Sequence, residues 1–373
     1  MTKLAIIGAS YLQLPLVRRA KEMGLYTICF AWADGAVCKD ECDAFYPISI
    51  IEKEQILDIC RKEQINGICT IASDTAAPTV AYVAEQMGLI GNSYKCALCA
   101  NNKLLMRKAF RNAGIPSPGF VCISDAISDE RLAISELGLP LIVKPSDRSG
   151  SLGVVKVERE EDLVSAIEAA MNYSFKHEAI VEQYIEGREI SVEFISYQGK
   201  HYPLQITDKV TTGAPHFVEL EHHQPANLSV DQYSEIYRLT TKALDALGVT
   251  NGASHSEYRI TEDGKIYVME IGARMGGDFI GSHLVQLSTG YDFLRGVIEV
   301  ALGKFHEPVL NEQHYSGVYF LCQETAHLKP IIAQHAMPQI VAAEITDDEL
   351  RPVTCSGDRS GYMIYQSDKK LVL

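Results

Sequence analysis

Along the first hundred positions, short continuous apolar runs alternate with longer stretches in which apolar residues recur at helical spacing. Leu4 to Ile7 is such a run, closed by Gly8, and reads as a strand; a helix through Val17 and Met23 follows and stops at Gly24. The pattern repeats with a strand from Tyr26 to Ala31, a helix carrying Ile56, Ile59 and Cys60 on one face, a strand from Gly67 to Ala72, and a helix from Thr75 to Gly88. Strands separated by amphipathic helices predict a parallel sheet covered on both faces, a small Rossmann-type unit. After Asn102 the pattern changes. A cationic helix from Lys103 to Ala113 ends at Gly114, and Ile115-Pro116-Ser117-Pro118-Gly119 makes a stiff connector, the expected domain boundary.

From Leu141 onward, hairpins and helices are mixed. In one strand Ile190, Val192 and Phe194 face one way while Glu189, Ser191 and Glu193 face the other. Helices with stripes at Ile236, Leu239, Ala243 and Leu247, and at Leu294, Val297, Ile298 and Ala301, are suited to pack on such sheets. The last sixty or so residues show short strand-like runs and no evident chemistry.

Composition narrows the function classes. With 373 residues, 47% apolar and 22% charged, the chain can bury more than one core without staples. A formal charge of -14 counts against nucleic acid or an anionic membrane as partner, so any anionic substrate must meet local cations. Leu4 to Ile7 is too short for a signal segment, and no run approaches a membrane span. The ten cysteines sit within apolar patterns such as Gly67-Ile68-Cys69-Thr70-Ile71, the usual placement of reduced thiols, so a cytoplasmic protein is expected. Cys38 and Cys42, then Cys96 and Cys99, have metal-compatible local spacing. Two strand-helix units part the pairs where a zinc ribbon keeps about 15 to 20 residues, so ordinary thiols are expected.

The leading unit invites a dinucleotide reading, which its first turn argues against. Gly8-Ala9-Ser10-Tyr11-Leu12-Gln13 lacks the second and third glycines, Tyr11 and Gln13 would obstruct a pyrophosphate, and Ala31-Trp32-Ala33 stands before Asp34 at the end of the second strand.

Three segments carry chemistry. Leu141-Ile142-Val143-Lys144-Pro145 leads into Ser146-Asp147-Arg148-Ser149-Gly150-Ser151-Leu152-Gly153, a strand ending in a lysine and then a glycine- and serine-rich loop whose backbone donors and hydroxyls can close over phosphates. The loop joins two strands, so it is not the Walker type. Ala179 to Gln183 gives way to Tyr184-Ile185-Glu186-Gly187-Arg188-Glu189, whose extended backbone can read the edge of an adenine and whose acids can accept from ribose hydroxyls; a plain strand, turn and strand fits it as well. The third runs from His255 to Glu270. Asp263-Gly264 between β-rich runs predicts a two-residue turn pairing Glu262 with Lys265, which sets Glu257 opposite Glu270. Two carboxylates with Cβ atoms about 4.5 to 5.5 Å apart repel unless a cation lies between them, and they suit magnesium, which takes its remaining ligands from water and phosphates. Arg274, in Ile271-Gly272-Ala273-Arg274-Met275-Gly276-Gly277, is placed to meet a phosphate or a developing acyl-phosphate charge.

In this order the segments resemble the ATP-grasp superfamily of carboxylate-amine ligases over roughly residues 1 to 305. Within it the chain looks most like one half of the carbamoyl-phosphate synthase large chain and the L-amino acid ligases. The resemblance implies an α/β leading domain (1–101, Rossmann-like with a parallel sheet) and an α+β ATP-grasp fold of two lobes (102–187 with the phosphate flap, 188–305 with the metal site). A small strand-rich C-terminal segment (306–373) completes the chain. It implies ATP and magnesium, with manganese as an alternative ion, and small carboxylate and amine substrates; a homodimer is compatible with it. Residue by residue, it assigns Lys103 and Lys144 to the nucleotide phosphates and Ser149, Gly150, Ser151 and Gly153 to the flap. Glu182 and the backbone near Ile185 go to adenine, Glu189 to ribose, Glu257 and Glu270 to the metal, and Arg274 to phosphate, with Lys144 and Arg274 in the catalytic roles. The implied reaction is ATP-dependent joining of a carboxylate to an amine through an acyl phosphate. The alternatives are phosphorylation of bicarbonate in a carboxylase or carbamoylating enzyme, and nucleotide binding without turnover. One departure is that the family commonly has asparagine where this chain has Gly272, which places a third metal ligand in doubt. The hairpin count sets Gly272 opposite His255. His216, His222 and His223 fall where the family keeps variable substrate-side loops, and no catalytic base is assigned to them.

Overall fold

The computed structural model describes residues 1–124, 131–148, 152–214 and 216–373. Strands β1 (Lys3–Ile7), β2 (Tyr26–Phe30), β3 (Ala44–Tyr46) and β4 (Gly67–Cys69) form a parallel sheet in the order β3-β2-β1-β4. Because successive side chains leave a strand on opposite faces, Leu4, Ile6 and Cys29 pack with Leu16, Val17 and Ala20 of the helix Leu14–Glu22. Ala5, Ile7, Ile28 and Phe30 pack with Ile56, Leu57, Cys60, Val83 and Ala84 of the helices Lys53–Glu63 and Ala77–Met87. The helix Phe293–Ala301 completes the first face through Val297, Ile298 and Ala301, tying a distant stretch of chain to the leading sheet. The strand expected over Gly67 to Ala72 stops at Cys69. Beyond it Ile71 makes a parallel bridge with Met275, and the Ala72 N–H donates to the Met275 carbonyl at 3.1 Å.

Strands β5 (Phe120–Ile123), β6 (Leu141–Pro145), β7 (Val155–Val157) and β8 (Ala179–Gln183) form an antiparallel sheet in the order β5-β8-β6-β7. The helix Leu163–Tyr173 covers it with Ala166, Ile167 and Ala170 against Val143, Ala179 and Val181. The remaining strands, β9 (Arg188–Tyr197), β10 (Lys200–Thr211), β11 (Glu219–Gln224), β12 (Gly252–Ile260), β13 (Ile266–Gly272), β14 (Tyr315–Leu321), β15 (Ile340–Ile345) and β16 (Gly361–Ser367), make one antiparallel sheet. Its order is β13-β12-β9-β10-β11-β14-β16-β15, so the last three strands extend it directly.

On one face of this sheet Ile190, Val192 and Phe194 pack with Ile236, Leu239, Ala243 and Leu247 of the helix Val230–Leu247. That helix has both its ends specified locally, by a capping box between Ser229 and Gln232 and by left-handed Gly248. Strand alternation then leaves Glu189, Ser191 and Glu193 on the other face, beside their β12 partners Arg259, Glu257 and His255. Cys38 and Cys42 lie with the leading core, and Cys96 and Cys99 with the core beneath β9, so the two pairs occupy different cores.

Gly187, in the turn from β8 to β9, is fixed by space. A Cβ there would lie 2.4 Å from the Ile260 carbonyl oxygen and 2.7 Å from its carbon. Gly187→Ala is expected to lower stability by about 1–3 kcal/mol, because backbone must move to admit the methyl. Urea denaturation measures it, and an unchanged midpoint would contradict the close approach.

Candidate functional site

The site grows from the hairpin β12–β13, whose turn corrects one expectation. Glu262 does not pair with Lys265 across a two-residue turn. The loop holds three residues, Glu262-Asp263-Gly264, closed by Thr261 N–H donating to the Lys265 carbonyl at 3.0 Å. Gly264 takes φ 82°, the left-handed position that three-residue hairpin loops require. Pairing then runs Ile260 with Ile266, Arg259 with Tyr267 and Tyr258 with Val268, an offset that would have put Met269 opposite Glu257. A β-bulge absorbs Met269, and Glu257 pairs with Glu270 after all, followed by His255 with Gly272.

Each of the facing carboxylates is met by a lysine. Lys209 Nζ, from β10, lies 2.6 Å from Glu257 Oε1 and 3.4 Å from Glu219 Oε1. Lys103 Nζ lies 2.9 Å from Glu270 Oε1 and donates to the Arg148 carbonyl at 2.8 Å. The charge of Lys209, opposed by burial, holds Glu257 well below the usual carboxylate range. Burial works against the charge on Lys103, but Glu270 outweighs it and raises its pKa. His255 is bonded through Nδ1 to the fully buried Glu193, whose second oxygen accepts from the Gly276 N–H at 3.1 Å. Burial disfavours the imidazolium, yet Glu193 raises the His255 pKa to about 9.

A second charged group lies under the antiparallel sheet of β5 to β8. Glu182, 1% exposed, receives Lys144 Nζ at 2.7 Å on one oxygen and Arg107 Nε at 2.7 Å on the other. Burial raises the pKa of Glu182; Arg107 and Lys144 reverse that and lower it to about 2. Burial lowers the pKa of Lys144, with Glu182 opposing. Arg107 was not anticipated, although Lys103, Met106, Arg107 and Phe110 share the buried stripe of the helix Lys103–Asn112, an unusual place for two cations.

Ile185 and Glu189 line the same cleft. The Ile185 carbonyl accepts from Arg259 Nη1 at 2.7 Å, and the same guanidinium pairs with Glu189. Lys144, Glu182, Ile185, Glu189, Glu257, Glu270, Lys103 and Arg274 therefore share one cleft, together with Ile142, Tyr184 and Met269. Gly153 has φ 71°, with Tyr173 and Pro145 within 3.0 Å of where a Cβ would sit. Ser149, Gly150 and Ser151 lie outside the described residues.

A second cleft adjoins the first, and Asp74, Lys209, Glu257, His255 and Arg274 line both. Arg274 grips Asp74 bidentately, Nε to Oδ1 and Nη2 to Oδ2, each 2.7 Å. Deeper, Arg359 bonds Asp278 at 2.9 Å and Glu219 at 3.1 Å and lies 3.8 Å over the Phe320 ring. His222 is buried 3.8 Å from Asp278, beyond hydrogen-bond reach, while His223 bonds Tyr365 and Glu221 and serves the sheet. His216 stands exposed at the cleft's rim. Lys209, Asp74 and Arg359 were missed. Asp74 alone had a signal, since it follows the carboxyl end of a parallel strand, where open α/β sheets place their ligands.

Comparison with known proteins bears on this geometry. A protein-family model described as an ATP-grasp domain matches residues 137–282. A solved L-amino acid ligase from Bacillus licheniformis superposes with a TM-score of 0.81 at 24% identity, covering 99% of this chain and 94% of that one. An N5-carboxyaminoimidazole synthetase from Staphylococcus aureus superposes with a TM-score of 0.81 at 17% identity, covering 99% and 94%. Among curated proteins, the alanine–anticapsin ligase of Bacillus subtilis is 28% identical over 246 residues, covering 60% of this chain and 51% of that protein; the chain thus spans about half the length of that relative. The matched segment holds Lys144, Glu182, Glu189, Glu257, Glu270 and Arg274, whereas Asp74, Lys103 and Arg107 come to the site from the preceding chain. No helix among the described residues is long and apolar enough to cross a membrane.

Proposed function

We propose that the protein is an ATP-dependent ligase that joins a small carboxylate to an amine through an acyl phosphate, releasing ADP and phosphate. The observation that carries this is Glu257 facing Glu270 across the hairpin, within one cleft that also gathers Lys103, Lys144 and Arg274. Similarity to proteins named as ligases supports the same reading.

The donor set fits magnesium or manganese. It offers two hard carboxylates, and among the described residues no group of three or more His, Cys, Asp and Glu side chains is arranged to hold an ion alone, which suits a metal that shares its shell with water and phosphates. Such an ion supplies charge neutralisation on the phosphoryl oxygens. Lys103 and Lys209 each contact one oxygen of these carboxylates, Oε1 of Glu270 and Oε1 of Glu257, so the second oxygen of each acid is available to a metal. Lys144 and Arg274 then present fixed positive charge to the group in transfer, and the segment 149–153 is assigned the closure that keeps water from the acyl phosphate. Ile185 and Glu182 stand for adenine and Glu189 for ribose; for Glu182 this role lies beside its buried pairing with Arg107 and Lys144. The division at 1–101, 102–187, 188–305 and 306–373, the Rossmann-like character of the leading sheet, a cytoplasmic location and a homodimer belong to this proposal.

The test is phosphate release from MgATP over a panel of amino acids and other small carboxylates, each with and without amines. ADP formation that requires both a carboxylate and an amine is expected. Release that depends on bicarbonate alone, or ATP binding with no turnover on any pair, would overturn the ligase.

A further inference from the structure

Gly272 has no room for a side chain. A Cβ built there would lie 2.8 Å from Asp74 Oδ1 and 3.2 Å from both Cζ and Nε of Arg274. The volume beside Glu270 that a larger residue would fill is therefore taken by a carboxylate arriving from the leading sheet. Asp74 and Arg274 are 200 residues apart in sequence, and both of the aspartate's oxygens are spent on the guanidinium. A third contact, Arg274 Nη1 to the Met275 carbonyl at 3.3 Å, leaves the planar group held along one edge and at one corner. Of the five N–H groups on a guanidinium, two are then free, and Arg274 lines both clefts. A fork fixed along one edge cannot turn about its own axis, so the free donors have one direction.

We propose that Asp74 is a positioning residue of the active centre. It fills the space left by glycine at 272 and aims Arg274 at the phosphoryl group, so that the site is incomplete without the leading sheet. The backbone bridge of Ile71 and Ala72 to Met275, on either side of these two residues, holds the same junction. Burial opposes ionisation of Asp74, and Arg274 overcomes it, which keeps the pair charged. An alternative purpose, ion-pair glue between the two parts of the chain, needs the same contact but not the glycine and not the placement between two clefts.

Three variants separate these. Asp74→Ala should lower kcat for ADP formation about 10- to 100-fold, the usual cost of losing a group that orients a catalytic one, with KM for ATP little changed. Calorimetric affinity for MgADP, read without turnover, should stay the same or tighten, because Arg274 loses its competing anion. Gly272→Asn should lower the thermal midpoint in the native background, and the same change combined with Asp74→Ala should be tolerated, since the clashing carboxylate is gone. The kcat arm rests on the ligase proposal; MgADP affinity and the midpoint cycle do not, so a protein that turned over nothing would still report on Asp74. Two results would overturn the inference: kcat and MgADP affinity that fall together in Asp74→Ala, or Gly272→Asn equally harmful in both backgrounds.

Discussion

Glu270→Gln is expected to cut ADP formation by about 100- to 1,000-fold, the scale seen when one group stabilising transition-state charge is removed. Glutamine keeps the volume and one acceptor oxygen but not the negative charge that the proposed metal site draws from Glu270. The fold should tolerate the change. The Glu270 side chain is about one-third exposed and its Lys103 pair is screened accordingly, so the stability lost is about 1 kcal/mol or less. Glu262→Gln, an exposed acid on the same hairpin's turn, serves as the control and should leave turnover unchanged. Wild-type turnover in Glu270→Gln would remove Glu270 from the metal site.

Glu182→Gln should do the reverse, with its largest effect on stability. Arg107 and Lys144 converge on a carboxylate that is almost wholly buried, and deleting its charge leaves two buried cations facing each other. Breaking such a group costs about 3–5 kcal/mol. The pH dependence follows from the sign of the shift. The folded pKa of Glu182 is lowered from 4.5 to about 2, so its contribution is complete above pH 4.5 and is lost as pH falls through about 2. A depression of that size corresponds to about 3 kcal/mol, in line with the mutational figure. Urea midpoints of the two proteins should therefore differ most near pH 7 and converge in acid. A gap that stayed constant down to pH 2 would mean that the carboxylate's charge is not what the cluster needs.

Much of this site could be read from local sequence because local geometry builds it. A strand ending in Lys144, a strand delivering Glu182 and a hairpin setting Glu257 opposite Glu270 depend on contacts between chain neighbours. Even there, the facing acids emerged through a three-residue loop and a bulge whose offsets cancel. The short β3, Ala44–Tyr46, offered too few residues for an apolar rhythm to show. What sequence hid is set by tertiary packing. Lys209 reaches Glu257 only because β10 and β12 both flank β9, and Arg359 reaches Asp278 only because β14 and β16 join the large sheet beyond β11. No periodicity marks a partner 200 residues away, which is why the Asp74–Arg274 fork was invisible.

The central claim is that the hairpin's two acids hold a divalent ion against a nucleotide. A crystal structure with magnesium and a non-hydrolysable ATP analogue tests it most directly. The ion is expected about 2.0–2.1 Å from a carboxylate oxygen of both Glu257 and Glu270 and bonded to phosphate oxygens. An ion bound elsewhere, touching neither Glu257 nor Glu270, would contradict it.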